Sequence, residues 1–147
     1  MPERLGARVR RLPATPHLPD GVFVEDAAVV LKDVAVITRP GALSRQPETA
    51  SVEAALAAHR PLVHVRAPAT LDGGDVLVAG RTIYIGLSTR TSREAIQQLT
   101  DQLAPYGYDV IPLAFTGCLH LKSAVTRVAD DLILLNPAWV EADAFTG

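Results

Sequence analysis

The stretch Asp75–Thr89, DVLVAGRTIYIGLST, consists of two apolar runs separated by a short polar turn. Two such runs with a turn between them predict a β-hairpin. The same pattern follows Asp26, as AAVVLKDVAVITRP, and follows Ser123, as AVTRVADDLILLNP. The three starting residues are 49 and 48 positions apart, so the chain is built from a repeated unit.

Each of the first two hairpins is followed by a helical pattern and then by a β-rich segment, PLVHVRAP or YDVIPLAF. The repeated unit is therefore predicted to be ββαβ. In the second helix, Thr91 and Glu94 have the spacing of a capping box. The predicted apolar stripes of the two helices are Val52, Ala55, Leu56 and His59, and Ile96, Leu99 and Leu103.

A ββαβ unit cannot bury its hairpin and its helix alone, so such repeats stack as a solenoid or close into a ring. The 147 residues are predicted to form a single α/β domain, residues 1–147, with units that start near Asp26, Asp75 and Ser123. The segment ERLGARVRRLP looks like the helix-to-strand junction LAPYGYDVIPL, and PAWVEADAFTG stands where a third helix would begin. We therefore expect an incomplete ring, either a fragment or a short relative of a longer protein. Because such a ring leaves apolar faces uncovered, we also expect a possible homodimer.

The composition excludes several classes of protein. With 48% hydrophobic and 20% charged residues, the chain is typical of globular domains and not of disordered ones. Its net charge of −2, without a block of like charges, argues against a nucleic-acid partner. Its apolar runs are too short for a membrane span, and its single cysteine excludes an internal disulfide, so a cytoplasmic setting is predicted.

A polar cluster ends the segment that leads into each hairpin. If the repeats surround a common axis, the three clusters converge at one end of it, and carboxylates of two units face a histidine of the third. A histidine beside a carboxylate suits proton transfer, and a ring of carboxylates suits a cation. The clusters contain Asp20, Glu25 and Asp26 in LPDGVFVED, Asp72 and Asp75 in LDGGD, and His120 and Lys122 in CLHLKS.

Each cluster taken alone also has an ordinary structural interpretation. The segment Asp72–Asp75 is typical of a turn, and a lone histidine among leucines is usually a hydrogen-bonded core residue. Lys122 is interpreted as a partner for nearby acids, and Cys118 as a small buried hydrophobe. Metal binding competes with proton transfer, but the chain lacks close ligand spacing such as HxxxH or CxxC, so no metal site is predicted.

Five segments, LPDGVFVEDAAVV, ITRPGALSR, LDGGDVL, GLSTRTS and LHLKS, together resemble the dimethylarginine dimethylaminohydrolases of the guanidino-modifying, or pentein, superfamily. The match covers Leu18 to Ser123, with the motifs in order. The resemblance implies a pentein-type α/β propeller, of which this chain would supply about three of the five ββαβ units. It implies an amidinohydrolase that releases citrulline and an alkylamine from methylated arginine without a cofactor, and a small guanidino compound as its partner.

The resemblance also implies roles for residues of this chain. His120 would protonate the leaving amine and then activate water, supported by the carboxylate of Asp72. Asp75 is a weaker candidate, expected to buttress its turn. The implied substrate-binding residues are Glu25 and Asp26 for the guanidinium of the substrate, Asp20 near its amino group, and Arg45 and Arg90 for its carboxylate.

The nucleophilic cysteine that the family uses has no match in this chain. Cys118 and His120 are predicted to lie on one strand, about 6–7 Å apart and beyond hydrogen-bond contact. The chain alone is therefore expected to be inactive. Two alternatives stay open: another guanidino-modifying enzyme, such as an arginine deiminase or an amidinotransferase, or a binding module for cationic amino acids.

Overall fold

The computed structural model describes residues 2–145. The first unit begins with a one-turn helix, α1 (Val24–Ala27), and an antiparallel hairpin of β1 (Ala28–Val30) and β2 (Ala35–Ile37). Helix α2 (Thr49–Leu56) follows, and β3 (Leu62–His64) then returns parallel to β2. The sheet order is β1-β2-β3, as a ββαβ unit requires.

The second unit repeats this topology with longer elements. Strands β4 (Val76–Ala79) and β5 (Thr82–Gly86) form the hairpin predicted for the stretch Asp75–Thr89. Helix α3 (Arg93–Leu103) connects β5 to β6 (Asp109–Leu113), which pairs parallel to β5. The sheet order β4-β5-β6 matches that of the first unit, and the prediction of repeated ββαβ units is confirmed.

The third unit contributes helix α4 (Leu121–Ala124) and an antiparallel hairpin of β7 (Val125–Ala129) and β8 (Leu132–Leu135). Within residues 2–145, each unit has its own small sheet instead of sharing one open sheet. The ring of five units and the assignment of residues 1–147 to a single domain stay predictions. Short 3₁₀ helices lie at Pro2–Leu5, Leu43–Glu48, Gly73–Asp75, Ala104–Tyr106 and Ala142–Phe145.

The middle sheet is buried on both faces. Successive side chains of a strand point to opposite faces, so Ile83 and Ile85 enter one core while Tyr84 enters another. The first core includes Leu99 of α3, and the second includes Val125 of the third unit. The apolar hairpin pattern of this unit therefore reflects a sheet that packs on both sides.

Several local predictions were wrong. Residues 6–23, all of which the structure describes, contain no strand, so ERLGARVRRLP is not a helix-to-strand junction. Helix α2 ends before His59, which is exposed. Helix α3 is capped by Ser92, whose side chain accepts a hydrogen bond from the backbone amide of Ala95, and not by Thr91.

Among residues 2–145, no helix is both long enough and apolar enough to cross a bilayer.

The two-sided core predicts a contrast between two leucines. Leu99 of α3 lies in the first core and is 1% exposed, so Leu99→Ala should lower the free energy of unfolding by about 2–5 kcal/mol. Leu134 is 63% exposed on β8, and Leu134→Ala should change the free energy of unfolding by less than about 0.5 kcal/mol. Urea denaturation followed by circular dichroism measures both, and similar losses in the two variants would contradict the described packing.

Candidate active site

Three short segments, one from each unit, meet at the turn that carries Asp72 and Asp75. The turn lies between α1 and α4 and approaches both too closely for larger residues. A Cβ atom added to Gly73 would lie 2.0 Å from the carbonyl oxygen of Glu25, and one added to Gly74 would lie 2.8 Å from Cγ of His120. The two glycines therefore allow the three units to come together.

Asp26 joins the first unit to this turn. Its carboxylate is buried, and Oδ1 accepts a hydrogen bond of 2.8 Å from the backbone amide of Gly74. Its other oxygen, Oδ2, lies 2.7 Å from Nη1 of Arg45. Both oxygens of Asp26 are thus occupied by groups of the protein.

Asp75 joins the turn to the third unit. It is fully buried, and its Oδ2 accepts hydrogen bonds of 2.7 Å from the hydroxyls of Ser88 and Thr91. Its Oδ1 accepts one of 3.0 Å from the backbone amide of Leu121 and lies 3.4 Å from Nδ1 of His120. Burial works to raise the pKa of Asp75, but the hydrogen bonds from His120 and the other donors outweigh it and hold this pKa below its usual value.

His120 stands between two buried aspartates. Its side chain is 17% exposed, with Nδ1 3.4 Å from Oδ1 of Asp75 and Nε2 3.8 Å from Oδ2 of Asp72. The hydrogen bond to Asp75 raises the pKa of His120 most; burial opposes this, and the charges of Asp75, Asp26 and Asp72 add to it. The nearer partner of His120 is therefore Asp75, and the expectation that Asp75 only buttresses its turn is incomplete.

The local structure around His120 differs from the predicted strand. His120 has extended backbone angles but occupies the N-cap position of α4. Leu121 is fully buried, whereas Leu119 is 53% exposed, so the two leucines do not face the same packed layer. The strand prediction was wrong because the segment turns at Gly117, whose φ is +76°.

Asp72 is fully buried and has one oxygen without a partner among the described residues. Its Oδ1 accepts a hydrogen bond of 2.8 Å from the amide of Gly41. Its Oδ2 lacks a hydrogen bond, and its cationic neighbours are Nη1 of Arg90 at 3.6 Å and Nε2 of His120. Burial raises the pKa of Asp72. A buried acceptor of this kind is costly unless a donor reaches it.

Arg45 is held by two buried acids. Its Nε and Nη2 bind the carboxylate of Glu48, Nη1 binds Asp26, and Nη2 also reaches the backbone carbonyl oxygens of Asp20 and Phe23. Burial lowers the pKa of Arg45, but the hydrogen bonds to Glu48 and Asp26 more than offset this and leave the pKa above its usual value. The expectation that Arg45 binds a substrate carboxylate does not fit this geometry, because its guanidinium nitrogens are engaged inside the protein. Arg90, with 29% of its side chain exposed, is the freer of the two arginines.

A cavity of about 380 Å³ opens beside this cluster and includes Glu25, Asp26, His120 and Lys122 in its lining. Glu25 forms an ion pair with Lys122, which agrees with the interpretation of Lys122 as a partner for nearby acids. Asp20 is exposed and lies outside the lining of this cavity. A larger cavity of about 850 Å³ lies between residues 10–24 and α2, but its lining is mainly apolar and does not include His120, Asp72 or Asp75.

The same cluster contains a candidate cation site. One ligand atom each from Asp26, Asp72 and His120 lie within 4.8 Å of one another, although the three residues are far apart in sequence. The sequence-based exclusion of a metal site rested on spacing alone, and spacing cannot detect ligands from three units. Arg45 and Arg90 already lie against two of these acids, so a metal ion would meet competing positive charge.

Cys118 is not positioned as a nucleophile toward this cavity. Its Sγ donates a hydrogen bond of 3.2 Å to the backbone carbonyl of His120. Burial, and then the negative charge of Asp75, raise the pKa of the Cys118 thiol, so the reactive thiolate is disfavoured.

Sequence reasoning missed Glu48 and gave Asp75 too small a role. The spacing of Arg45 and Glu48, three residues apart in a segment that turns helical, could have revealed their pairing. The involvement of Asp75 with His120 had no local signal, because the two residues are 45 positions apart.

The close contact at Gly74 predicts a local effect of substitution. Gly74→Ala should displace the His120 ring and lower the free energy of unfolding by about 1–3 kcal/mol through overpacking. Gly107→Ala is the control, because a Cβ there meets nothing within 4 Å and only the positive φ is strained. Nuclear magnetic resonance (NMR) should show shifted His120 ring signals in the first variant only; unshifted signals in a folded Gly74→Ala protein would contradict the contact.

Comparison with known proteins agrees with this architecture. The arginine deiminase family matches residues 9–146. The chain is 51% identical over 117 residues to the N(G),N(G)-dimethylarginine dimethylaminohydrolase of Streptomyces coelicolor, covering 79% of this chain and 45% of that protein. It is 33% identical over 136 residues to the enzyme of the same name from Pseudomonas aeruginosa, covering 91% and 54%.

The fold is also found among solved structures. A mutant of the Pseudomonas aeruginosa dimethylarginine dimethylaminohydrolase complexed with citrulline superposes with a TM-score of 0.79 at 33% identity, over 82% of this chain and 48% of that one. The chain thus spans about half the length of the relatives it matches. With this family match, these relatives and the ββαβ units, the chain belongs to the arginine deiminase family of the pentein superfamily and is a relative of the dimethylarginine dimethylaminohydrolases.

Proposed function

We propose that this chain provides the carboxylate and histidine part of a dimethylargininase-type site, which hydrolyses methylated arginine to citrulline and an alkylamine. The observation that carries the proposal is the position of His120 between two fully buried aspartates, one of which, Asp72, has an oxygen that accepts no hydrogen bond from residues 2–145. The relatives from Streptomyces coelicolor and Pseudomonas aeruginosa, both named N(G),N(G)-dimethylarginine dimethylaminohydrolase, support this proposal.

A guanidinium group suits the acceptors of this site. It is a planar cation with several N–H donors, and it pairs with carboxylates through parallel hydrogen bonds. Oδ2 of Asp72 accepts no hydrogen bond from the described residues, and Glu25 presents a second carboxylate in the adjacent cavity. Asp26 contributes negative charge, although both its oxygens already bind the protein. Arg90 is the residue proposed to bind the carboxylate of the amino acid.

His120 is proposed to move the proton. If Nδ1–H donates to Asp75, Nε2 is left to exchange a proton with the reacting groups. The raised pKa of His120 favours a protonated ring that can protonate the leaving amine, after which the neutral ring can activate water. Asp75 is then the positioning residue for His120, and Asp72 the acid that faces the substrate.

The resemblance assigns the attack on the guanidinium carbon to a cysteine. The thiolate adds to this carbon, the amine leaves with a proton from the histidine, and water then replaces the sulfur to give citrulline and the free thiol. Because the Sγ of Cys118 is bonded to a backbone carbonyl, we do not assign this role to Cys118.

The same geometry keeps one alternative open. A chain that holds the acids and Arg90 without a placed thiol could act as a binding module for cationic amino acids. The homodimer and the cytoplasmic setting stay predictions. The substrate class is proposed as a small guanidino compound in either case.

The proposal predicts binding without turnover for the 147-residue protein. It should release no citrulline from N,N-dimethylarginine in a colorimetric assay, yet bind this compound in isothermal titration calorimetry. Asp72→Asn should weaken binding about tenfold or more, since hydrogen bonds to a charged group contribute about 1.5–3 kcal/mol. His120→Ala should leave binding largely unchanged.

The matched control is Asp33→Asn, which removes one carboxylate from an exposed ion pair with Arg81 outside the site. Citrulline release that disappears in Cys118→Ser would instead assign the nucleophile to Cys118. Equal affinities of the Asp72→Asn and Asp33→Asn variants would refute the proposed position of the guanidinium.

A further inference from the structure

The two neighbouring acids of α1 have very different counter-ions. Asp26 pairs with Arg45, and both side chains are less than a tenth exposed, at 9% and 8%. Glu25 pairs with Lys122 of α4, and these side chains are 63% and 26% exposed. Both members of the second pair line the cavity beside His120.

This difference in burial makes one counter-ion exchangeable and the other fixed. Removing a partner from a buried ion pair leaves an uncompensated charge and is strongly unfavourable. A solvent-exposed pair contributes little, because water screens it and the long side chains lose conformational freedom when they pair. Of the two acids, Glu25 is therefore the one whose cation a ligand can replace.

We propose, resting on the proposed function, that Lys122 is a specificity-determining residue. Its ammonium group pairs with the carboxylate of Glu25 in the unliganded site, and the guanidinium of the substrate displaces it. A guanidinium forms two parallel hydrogen bonds with a carboxylate, whereas an ammonium acts as a point charge. The displaced ammonium can move into solvent on its flexible stem. Lys122 thereby weakens the binding of any cation that pairs with the Glu25 carboxylate less strongly than a guanidinium does.

The inference distinguishes cationic from neutral ligands. N,N-dimethylarginine carries the positive charge that must compete with Lys122. Citrulline has nearly the same shape, but its ureido group is neutral and gains little from the charge of Glu25. Removing the ammonium group of Lys122 should therefore strengthen the binding of N,N-dimethylarginine but not the binding of citrulline.

The experiment is calorimetric titration of the 147-residue protein and its Lys122→Met variant with both compounds. We expect Lys122→Met to bind N,N-dimethylarginine about two- to fivefold more tightly, the upper part of the range that corresponds to the loss of an exposed ion pair. Binding of citrulline should change by less than about twofold. Lys122→Gln serves as a second variant that keeps a polar end if the methionine disturbs folding.

Two controls make the result specific. Arg81→Met removes the same charge from the exposed pair with Asp33, outside the site, and should leave both affinities unchanged. In a Glu25→Gln background, Lys122→Met should have no further effect on the cationic ligand, because the competition has been removed.

The possible failures are distinguishable. If the unsubstituted protein binds N,N-dimethylarginine but the Lys122 variants bind it equally or more weakly, Lys122 is not a competitor and the proposed function is unaffected. Equal tightening for citrulline would also overturn the inference. If no form of the protein binds N,N-dimethylarginine, the proposed function fails and the role of Lys122 falls with it.

Discussion

Two buried aspartates connect the successive units of this protein by the same type of bond. Asp26 of the first unit accepts a hydrogen bond from the backbone amide of Gly74, and Asp75 of the second accepts one from that of Leu121. The two acids occupy equivalent positions, 49 residues apart in the repeat. Hydrogen bonds from backbone amides to a buried carboxylate are strong because the acceptor is charged. The bond that aligns the units therefore also brings negative charge to their meeting point.

The remaining site residues follow from the need to balance this charge. A buried carboxylate requires a cation or several donors close by. Asp26 has Arg45, which Glu48 holds in turn, and Asp75 has His120 together with two hydroxyl groups. A histidine used for balance in this way retains a proton more readily, and this is the property that general acid catalysis needs. Structural connection and proposed chemistry thus depend on the same carboxylates.

Much of the fold was predictable because it repeats. The hairpins and the helix with Ile96, Leu99 and Leu103 follow from apolar periodicity, which a local sequence window contains. Convergence of the polar clusters followed from their equal positions in the repeat. Which of the two aspartates lies nearer to His120 could not be predicted in this way. The answer depends on distances of 3.4 and 3.8 Å, which the turn at Gly117 and the close approach of Gly74 determine. The pairing of Arg45 with Asp26 was missed for a similar reason, since the two residues are 19 positions apart, whereas Glu48 lies in the same segment as Arg45.

Asp75, and not Asp72, is the principal partner of His120. The pKa of His120, followed by NMR of its ring protons, tests this claim in the Asp75→Asn and Asp72→Asn variants. Because the hydrogen bond to Asp75 is the main cause of the raised pKa, Asp75→Asn should lower it toward the ordinary value of 6.5 more than Asp72→Asn does. The stability gained from the pair is fully present below that ordinary pKa and is lost as the pH rises through the folded pKa, so Asp75→Asn should also flatten this pH dependence. A larger fall of the His120 pKa in Asp72→Asn than in Asp75→Asn would contradict the account.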